Sequence, residues 1–405
     1  MRKQQRVVVG ISGGVDSGVA AWLLKQQGYD VVGLFMRNWH DTTGLISAEC
    51  SYEDDVLFAE MVAKKIGIPF HQVDLSEQYR TRVVDYLFDE YEAGRTPNPD
   101  VLCNREIKFD AFVEEALKLG AEKVATGHYA RVESFYLNTG PVYRLLCGLD
   151  KNKDQSYFLC QLNQKQLSYA MFPLGELTKP EVREIAREQG LANAERKDSQ
   201  GICFVGKVDL PVFLQQKLAS KKGLIIEIPK DGFLQPSGND YKKLAEKIEL
   251  TPAMGTVIGE HQGAHFYTIG QRKGLNIGGK EEPLFILGTD VINNIIYTGQ
   301  GQDHPLLFKK ALLVKQEEVH WIRPDLSLPH GEDKVCLARI RYRQELQKTM
   351  IIGQTEGIYL LFDEPQRAVV PGQFAVWHYG DELIGSGPIS SNRMQNVKKI
   401  TKIEG

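Results

Sequence analysis

The sequence lacks paired cysteines, long apolar runs and a strong excess of either charge. Its 6 cysteines are scattered over 405 residues without a C-x-x-C pair, which argues against a zinc ribbon, a thioredoxin-type site or the disulfide framework of a small secreted domain. The apolar run near the amino terminus covers residues 7–11, too short for a signal-peptide core, and no stretch approaches the length of a membrane span. We therefore expect a cytoplasmic protein with no membrane partner.

The overall composition is that of a globular protein of two or three domains. Hydrophobic residues make up 42% of the chain and charged residues 25%, and the formal net charge is −3. This charge balance excludes a general electrostatic attraction to nucleic acid. If the partner is RNA, local basic patches must provide the attraction.

A glycine-rich stretch near the amino terminus has the features of a phosphate-binding turn. It lies between an apolar run at residues 7–9 and a helical pattern, an order that directs backbone N–H groups and a helix dipole at an anion. The stretch consists of Gly10, Ile11, Ser12, Gly13, Gly14, Val15, Asp16 and Ser17. It lacks the lysine of a Walker A motif, and Asp16 could orient the turn or help to hold a metal. The alternative is a tight glycine turn capped by serine, which six matching residues between strand and helix disfavour.

The first 130 residues alternate between strand and helix patterns. Apolar runs at 7–11, 30–36, 70–75 and 123–129 predict strands, and helical spacing covers 53–66, 77–91 and 106–119. This alternation predicts an α/β fold with a doubly wound parallel sheet. Ligands of such sheets bind beyond the carboxyl ends of the strands, where we also expect Met36, Gly127 and His128.

Two cysteines lie in stretches of different character. Cys103 follows a loop with two prolines, for which we expect no helix; Asn104 would cap a helix beginning near Arg105. Cys103 would then lie beside a helix N-terminus, which favours the thiolate, although a buried packing role is the alternative. Taken alone, Cys203 is better explained as a packing residue.

The pattern changes after about residue 207. We predict three domains: a catalytic domain at 1–207, a small central domain at 208–303 and an all-β barrel domain at 304–405, where short strands recur. On one of these strands Arg339, Arg341 and Arg343 are predicted to share a face, which suits either phosphate contacts or a solvated surface. Residues 218–252 are rich in turns and are left unassigned.

The motifs taken together are more specific than any one of them. They lie, in order, at residues 12–17, 98–103, 127–129, 153–158, 201–204, 267–274, 341–343 and 371–373. This series closely resembles the tRNA-specific 2-thiouridylases, which have an ATP pyrophosphatase-type loop and replace the C2 oxygen of a wobble uridine with sulfur. Relative to that family, residues 218–252 are longer and richer in lysine than expected.

The resemblance implies a role for each motif. ATP, with Mg²⁺, would be held by the glycine-rich stretch, Met36 and Gly127, and would adenylate the uridine C2 oxygen. Cys203 would carry a persulfide supplied by a cysteine desulfurase or a sulfur carrier protein, and Cys103 would be the partner thiol. Asn98, Pro99 and Asp100 would meet the target base, with Asp100 as a possible general acid or base. The resemblance implies tRNA contacts for His128, Lys153, Asp154, Gln155, Arg341, Tyr342 and Gln373.

Three other interpretations remain open from the sequence. An adenylating ligase for a small amine substrate would not need both Cys103 and Cys203. An RNA-binding protein with a vestigial loop would not bind ATP. An iron–sulfur cluster held by Cys103, Cys203 and Asp100 would lack a fourth cysteine at suitable spacing.

Overall fold

The computed structural model describes residues 4–40, 52–197, 210–215 and 217–391. These residues form three sheets, joined in the order parallel, mixed and antiparallel along the chain. Among the described residues, no helix is both long and apolar enough to cross a lipid bilayer.

The amino-terminal sheet is parallel and carries helices on both faces. Its five strands lie in the order β3-β2-β1-β4-β7. They are β1 (Arg6–Gly10), β2 (Asp30–Arg37), β3 (Phe70–Asp74), β4 (Lys123–Ala125) and β7 (Ala170–Met171), while β5 (Ala130–Leu137) and β6 (Gly140–Cys147) form a separate hairpin. In β1, Val8 packs into the cluster on one face, and Val7 and Val9 pack into that on the other. This two-sided burial explains the unbroken apolar run and confirms the predicted doubly wound α/β fold.

The helices of this domain cover the two faces of the sheet, and helical structure is present at the predicted 53–66, 77–91 and 106–119. They are α1 (Val15–Gln26), α2 (Tyr52–Ile66), α3 (Ser76–Tyr79), α4 (Asp85–Glu92), α5 (Pro99–Leu102), α6 (Phe112–Lys118), α7 (Gln164–Tyr169), α8 (Lys179–Glu188) and α9 (Leu210–Leu214). Two π-helical segments, Arg80–Val84 and Cys103–Ala111, join α3 to α4 and α5 to α6.

The rest of the chain is mainly β-structure, as predicted. The central sheet has the order β10-β11-β8-β9, and the carboxyl-terminal sheet runs from β12 through β16, β15, β14, β17 and β18. The central strands are β8 (Gly223–Glu227), β9 (Thr256–His261), β10 (Leu284–Asp290) and β11 (Ile295–Gln300). The later strands are β12 (Phe308–Lys315), β13 (His320–Trp321), β14 (Asp333–Arg339), β15 (Gln347–Gln354), β16 (Gly357–Arg367), β17 (Phe374–Tyr379) and β18 (Glu382–Pro388). The exact domain limits stay a prediction.

The stretch left unassigned from the sequence, 218–252, connects the central domain to the barrel. It contains β8 and a short helix, α10 (Tyr241–Ala245), which packs on β12 and β16. Lys242 pairs with Glu356 of the barrel at 2.7 Å, and the Lys309 ammonium donates to the Glu246 carbonyl at 3.1 Å. Lys242 of this stretch therefore forms an ion pair with the carboxyl-terminal barrel.

The amino-terminal domain also contributes strands to the carboxyl-terminal sheet. The β5–β6 hairpin extends that sheet, because Leu146 of β6 pairs with Glu382 of β18. Beside this junction Arg339 forms a buried ion pair with Asp154 at 2.8 Å. Burial acts to raise the pKa of Asp154, but Arg339 and the N–H groups of Ser156 and Gly148 outweigh it and hold the pKa below 3.8. The two domains therefore share a charged core contact.

The predicted arginine face of the barrel is wrong. Strand β14 ends at Arg339, and Arg341 and Arg343 lie in the following turn. The Arg339 side chain is buried against Asp154, whereas Arg343 is exposed. The ion pair with Asp154 turns Arg339 inward, so the three side chains do not share one surface.

Replacing Arg339 by methionine should destabilise the protein strongly. The Asp154 carboxylate would stay buried without its cation, which we expect to lower the free energy of unfolding by about 3–5 kcal/mol at neutral pH. In the unmutated protein, the pKa of Asp154 is lower in the folded than in the unfolded state. The stabilisation from its ionised carboxylate is therefore present above about pH 4 and is lost as the pH falls through the folded pKa. The deficit of the variant should therefore shrink on acidification, as followed by urea unfolding at several pH values.

The matched control is Lys348→Met in the same sheet. Lys348 pairs with Asp363 at 3.1 Å, but both side chains are more than half exposed. Loss of that pair should change stability by less than about 1 kcal/mol. An equal loss in the two variants would contradict a special role for the buried pair.

Candidate active site

The glycine-rich turn adopts the conformation that its sequence predicted. Gly13 has a φ of +74°, and a Cβ atom on it would lie 2.4 Å from the carbonyl oxygen of Asp55. Gly14 is the N-cap of α1 and supplies no side-chain cap, so the first N–H groups of this helix lack an intrahelical or capping partner. The turn therefore presents uncapped donors and the positive end of a helix dipole, which suits a phosphate group.

The two serines maintain the shape of this turn. Ser17 Oγ donates to the Gly14 carbonyl at 3.1 Å and accepts from the Ser12 N–H at 3.1 Å. The Ser12 hydroxyl lies 3.2 Å from that of Ser17. These bonds close the turn on itself, and the hydroxyls order the backbone donors around the anion position.

Asp16 is held by two residues that are distant in the sequence. Its Oδ1 accepts from the Tyr129 hydroxyl at 2.9 Å and from the Lys179 ammonium at 2.6 Å. Lys179 is the first residue of α8 and is largely buried. The turn lacks a lysine of its own, and α8 brings one beside it. No motif in the sequence indicated this contact of Lys179.

Two further side chains hold the turn from the same part of the chain. The Asn193 amide donates to the carbonyls of Gly13 and Gly14 at 3.1 and 2.9 Å, and Arg196 donates to Gly13 at 3.2 Å. Arg196 also pairs with Asp55 at 2.8 Å. Because a trans peptide directs its N–H away from its carbonyl, the N–H groups of these peptides face away from Asn193 and Arg196. No sequence motif indicated these residues.

Met36 and Gly127 lie where the parallel sheet predicts, at its carboxyl edge. Gly127 is so close to the turn that a Cβ on it would lie 2.8 Å from the backbone nitrogen of Ser17. Met36 is buried at the end of β2 and belongs to the same cluster as Cys103. Asn38, two residues further on, is buried with no hydrogen-bond partner for either amide atom. The sheet edge therefore combines the glycine turn, a close backbone approach and an unpaired amide.

The helix that carries Cys103 begins earlier than predicted. Its N-cap is Asn98, whose side chain accepts from the Val101 N–H at 3.3 Å, and Pro99 occupies the first turn, where its missing N–H is tolerated. Cys103 therefore lies in the second turn, and its own N–H is bonded to Asp100 and Pro99. Because the dipole acts mainly within the first turn, the predicted activation of Cys103 by a helix end does not apply. Asn104 caps nothing; its amide donates to the Phe158 carbonyl at 3.0 Å.

Cys103 starts a π-helical segment and is fully buried. Widened turns of this type often occur at functional sites. Cys203 lies outside the described residues, so its separation from Cys103 stays a prediction.

The loop before this helix is fixed by contacts with the other domains. The Gln373 amide donates to the carbonyls of Thr96 and Pro97 at 3.0 and 3.1 Å. The Thr96 hydroxyl lies 3.2 Å from that of Thr268. Asn98, Pro99 and Asp100 thus follow a segment anchored by both the barrel and the central domain. The predicted RNA contact Gln373 acts here as an anchor of the loop.

Two predicted RNA contacts, His128 and Asp154, have buried side chains, and their contact with RNA stays a prediction. His128 is buried between Phe109 and Phe172, and its Nδ1 lies 2.7 Å from the Thr126 hydroxyl. Burial, and then the charge of Lys108, hold the pKa of His128 well below its usual value, so the ring is neutral. Asp154 is engaged in its ion pair with Arg339. Both residues support the structure, and a surface contact would require them to leave the core.

The other predicted contacts are more accessible. Lys153 and Gln155 are partly exposed, although the Gln155 side chain accepts from the Tyr129 N–H at 3.1 Å. Tyr342 packs on Phe158 with ring centroids 4.3 Å apart. Arg341 lines a cavity of about 300 Å³ together with Thr96 and Gln373. The structure therefore brings Arg341 and Gln373 to one place, beside the loop that leads to Asn98.

Comparisons with known proteins match the chain in three parts. A tRNA methyl transferase HUP domain model matches residues 5–207, a tRNA methyl transferase PRC-barrel domain model matches 242–300, and an aminomethyltransferase beta-barrel domain model matches 310–389. These three parts contain the parallel sheet, most of the central sheet and most of the carboxyl-terminal sheet.

Curated relatives match nearly the whole chain. The tRNA-specific 2-thiouridylase MnmA of Christiangramia forsetii is 57% identical over 394 residues, which covers 95% of this chain and 100% of the relative. The protein of the same name from Flavobacterium johnsoniae is 58% identical with the same coverage. That from Bacillus subtilis is 47% identical over 95% of this chain and 94% of its own length.

A likeness to solved structures is much weaker. A 4-thiouridine synthetase in complex with RNA and bound ATP is 17% identical, with a TM-score of 0.31 over 52% of this chain and 50% of that chain. A likeness at this level indicates no function for this chain.

Proposed function

Because this chain belongs to the family of tRNA-specific 2-thiouridylases, we propose that it uses ATP to activate the C2 oxygen of a wobble uridine and replaces that oxygen with sulfur from a cysteine persulfide. Like its relatives, the chain is a tRNA sulfurtransferase that forms 2-thiouridine. The observation that carries the proposed chemistry is the position of Cys103: it shares one buried cluster with Met36, on the sheet whose edge holds the glycine turn.

The glycine turn suits the first half of the reaction. The C2 oxygen of uridine is a poor leaving group, and its attack on the α-phosphorus of ATP converts it to an AMP ester and releases pyrophosphate. The uncapped N–H groups of α1 and the ammonium of Lys179 would stabilise the charge that grows on the pyrophosphate. Gly13, with its carbonyl bonded to Asn193 and Arg196, keeps the donors aimed at this position.

Mg²⁺ is compatible with the groups around the turn. Among the described residues there is no cluster of three or more potential metal-ligating side chains. Mg²⁺ in nucleotide sites needs no such cluster, since it binds through one or two carboxylates and the phosphates. Asp16 would be the carboxylate that holds it, and the bound ion would neutralise phosphate charge.

The two cysteines suit the second half of the reaction. Cys203 would carry a persulfide whose terminal sulfur bonds to C2 as AMP leaves with the former uridine oxygen. The Cys103 thiolate attacks the inner sulfur, so a Cys103–Cys203 disulfide forms and a cellular thiol reductant must restore both thiols. A cysteine desulfurase or a sulfur carrier protein would then reload Cys203.

The tRNA presents its target base to the loop at Asn98, Pro99 and Asp100. The base must leave its stack to reach ATP and the persulfide, and unpaired loop bases allow this at low free-energy cost. Asp100, in the first turn of α5, would serve as the general acid or base.

The experiment that tests this function is nucleoside mass spectrometry of unmodified tRNA. The tRNA is incubated with the protein, Mg²⁺ and a cysteine desulfurase with its cysteine substrate as the persulfide donor, with ATP or with α,β-methylene-ATP. We expect 2-thiouridine at the wobble position with ATP only. Thiolation that proceeds with the methylene analogue, or ATP consumption without thiolation, would contradict the proposal.

Lys179→Met should impair activation of the uridine while leaving RNA binding intact. The variant removes the ammonium that lies 2.6 Å from Asp16, and we expect tRNA-dependent pyrophosphate release to slow by about a hundredfold. Lys179→Arg should restore part of the rate because it keeps the positive charge. Lys118→Met is the control, since Lys118 pairs with Glu115 on an exposed helix. Equal rates in Lys179→Met and Lys118→Met would exclude this role.

A further inference from the structure

The second arginine beside the target-base loop has no role in the mechanism above. Arg367, at the end of β16, and Arg341, in the turn after β14, line the same cavity of about 300 Å³. The cavity lies at the junction of three domains, because Thr96 comes from the amino-terminal domain and Thr268 from the central domain. None of the residues that line it is acidic.

Both guanidinium groups lack a compensating charge. Within the part of the chain that the structure describes, neither Arg341 nor Arg367 has a carboxylate at ion-pair distance, whereas Arg339, close by in sequence, does. The Nη2 atom of Arg367 is buried with no hydrogen-bond partner, although its Nε donates to the Gln302 carbonyl at 3.0 Å. The Arg367 guanidinium also packs over the Phe285 ring, 4.8 Å from its centroid, but this contact gives Nη2 no acceptor. A buried donor without a partner is destabilising, which favours a bound acceptor at this position.

The two arginines also lie close enough to affect each other. Burial, and then the charge of Arg367, lower the pKa of Arg341 below its usual value. Two like charges at one cavity are unfavourable until an anion binds between them, and guanidinium groups match the oxygens of a phosphate well.

The backbone around the cavity is shaped for this arrangement. Ala368, directly after Arg367, has a φ of +51°, a strained conformation for a residue with a side chain. Its Cβ lies against Gly270, where an added Cβ would be only 2.6 Å away. This close approach holds the central domain against the end of β16 and fixes the position from which Arg367 reaches the cavity.

From this geometry we propose that Arg341 and Arg367 together bind one backbone phosphate of the RNA substrate, next to the nucleotide that is modified. The inference rests on the proposed function for the identity of the substrate. The same cavity contains Thr96, and Asn98 follows two residues later. A phosphate held here would therefore lie beside the loop that meets the target base. Gripping it would help to keep the base out of its stack.

Binding of anticodon stem-loops without ATP tests the proposal separately from thiolation. Each phosphodiester of the loop is replaced in turn by a methylphosphonate, which removes one negative charge. For the parent protein we expect one linkage whose replacement weakens binding about tenfold. For Arg367→Gln we expect weaker binding to the unmodified RNA and no further loss at that linkage, with Arg367→Lys keeping part of the affinity.

The salt dependence gives an independent readout. Loss of one phosphate contact should reduce the slope of log K against log salt by about 0.7. Because the two arginines share one phosphate, Arg341→Gln, Arg367→Gln and the double variant should show the same reduction. Lys348→Gln on the barrel surface is the control, and thermal unfolding checks that each variant is folded.

Several results would overturn the proposal. If replacement of the same linkage still weakened binding to Arg367→Gln, the two arginines would not share a phosphate. The same would follow if the double variant reduced the salt slope by the sum of the two single reductions. If inorganic phosphate competed for this pocket and no single phosphodiester replacement weakened RNA binding, the pocket would be a site for a free anion instead. Failure of the parent protein to bind any stem-loop would count against the proposed function itself, whereas normal parent binding with unaltered variants would count only against this inference.

Discussion

Cys103→Ala is expected to abolish 2-thiouridine formation, with a loss of about a thousandfold or more. Without this thiolate the persulfide sulfur on Cys203 cannot be released by disulfide formation. The variant should still bind tRNA and release pyrophosphate, because the glycine turn is intact. Nucleoside mass spectrometry for the product and a pyrophosphate assay for activation would separate the two half-reactions.

The chain provides a matched control in Cys160→Ala. Cys160, like Cys103, is fully buried, but it belongs to a cluster between the amino-terminal domain and the barrel. Burial raises the pKa of the Cys160 thiol to about 12. Cys160 therefore has the buried packing role that is the alternative interpretation of Cys103. We expect less than about a threefold change in thiolation for Cys160→Ala. If Cys103→Ala retained as much activity, sulfur transfer through Cys103 would be excluded.

Gly13→Ala should have the second large effect. Alanine at a φ of +74° is strained by about 1–3 kcal/mol, and its Cβ would overlap the Asp55 carbonyl oxygen at 2.4 Å. The turn would have to move away from α2, which would disturb the donors that face the phosphates. We expect tRNA-dependent pyrophosphate release to fall at least a hundredfold, measured at saturating tRNA.

Gly28→Ala separates backbone strain from the overlap. Gly28 has a similar φ of +86°, yet nothing lies within 4 Å of its would-be Cβ. This control should lose about 1 kcal/mol of stability or slightly more and retain its activity. Gly14→Ala should also be tolerated, since its nearest contact would be the Ser12 hydroxyl at 3.4 Å. Equal inactivation of Gly13→Ala and Gly28→Ala would point to unfolding and not to the phosphate site.

The sequence predicts the parallel sheet and the glycine turn because both depend on local rules. A strand buried on both faces must be apolar throughout, as Val7, Val8 and Val9 are, and a turn at positive φ requires glycine at position 13. The resemblance adds the cysteines and the loop at Asn98, whose chemical roles stay predictions.

The remaining features depend on contacts between distant residues. Lys179 meets Asp16 across 163 positions, and Asn193 meets Gly13 across 180, without any local signal. The pairing of the β5–β6 hairpin with β18 depends on how the domains dock. The two prolines before Cys103 predict a loop, yet Pro99 occupies the first helical turn, to which proline is well suited.

Electrostatic partners explain why the predicted arginine face of the barrel is wrong. Arg339 and Asp154 satisfy each other in the core, so neither is available at the surface. Arg341, two residues later, has no such partner and lines the cavity with Arg367. An alternating pattern cannot distinguish a paired arginine from an unpaired one, because the difference lies in a carboxylate 185 residues away.

The most direct test of the mechanism follows the oxygen that leaves the uridine. A tRNA labelled with ¹⁸O at C2 of the target uridine is thiolated in a single turnover, and the nucleotide products are analysed by mass spectrometry. Adenylation of the C2 oxygen predicts that the label appears in the phosphate of AMP, in amounts equal to the 2-thiouridine formed. Label in inorganic phosphate, or AMP without label, would contradict the account, because the oxygen would then have left by another route.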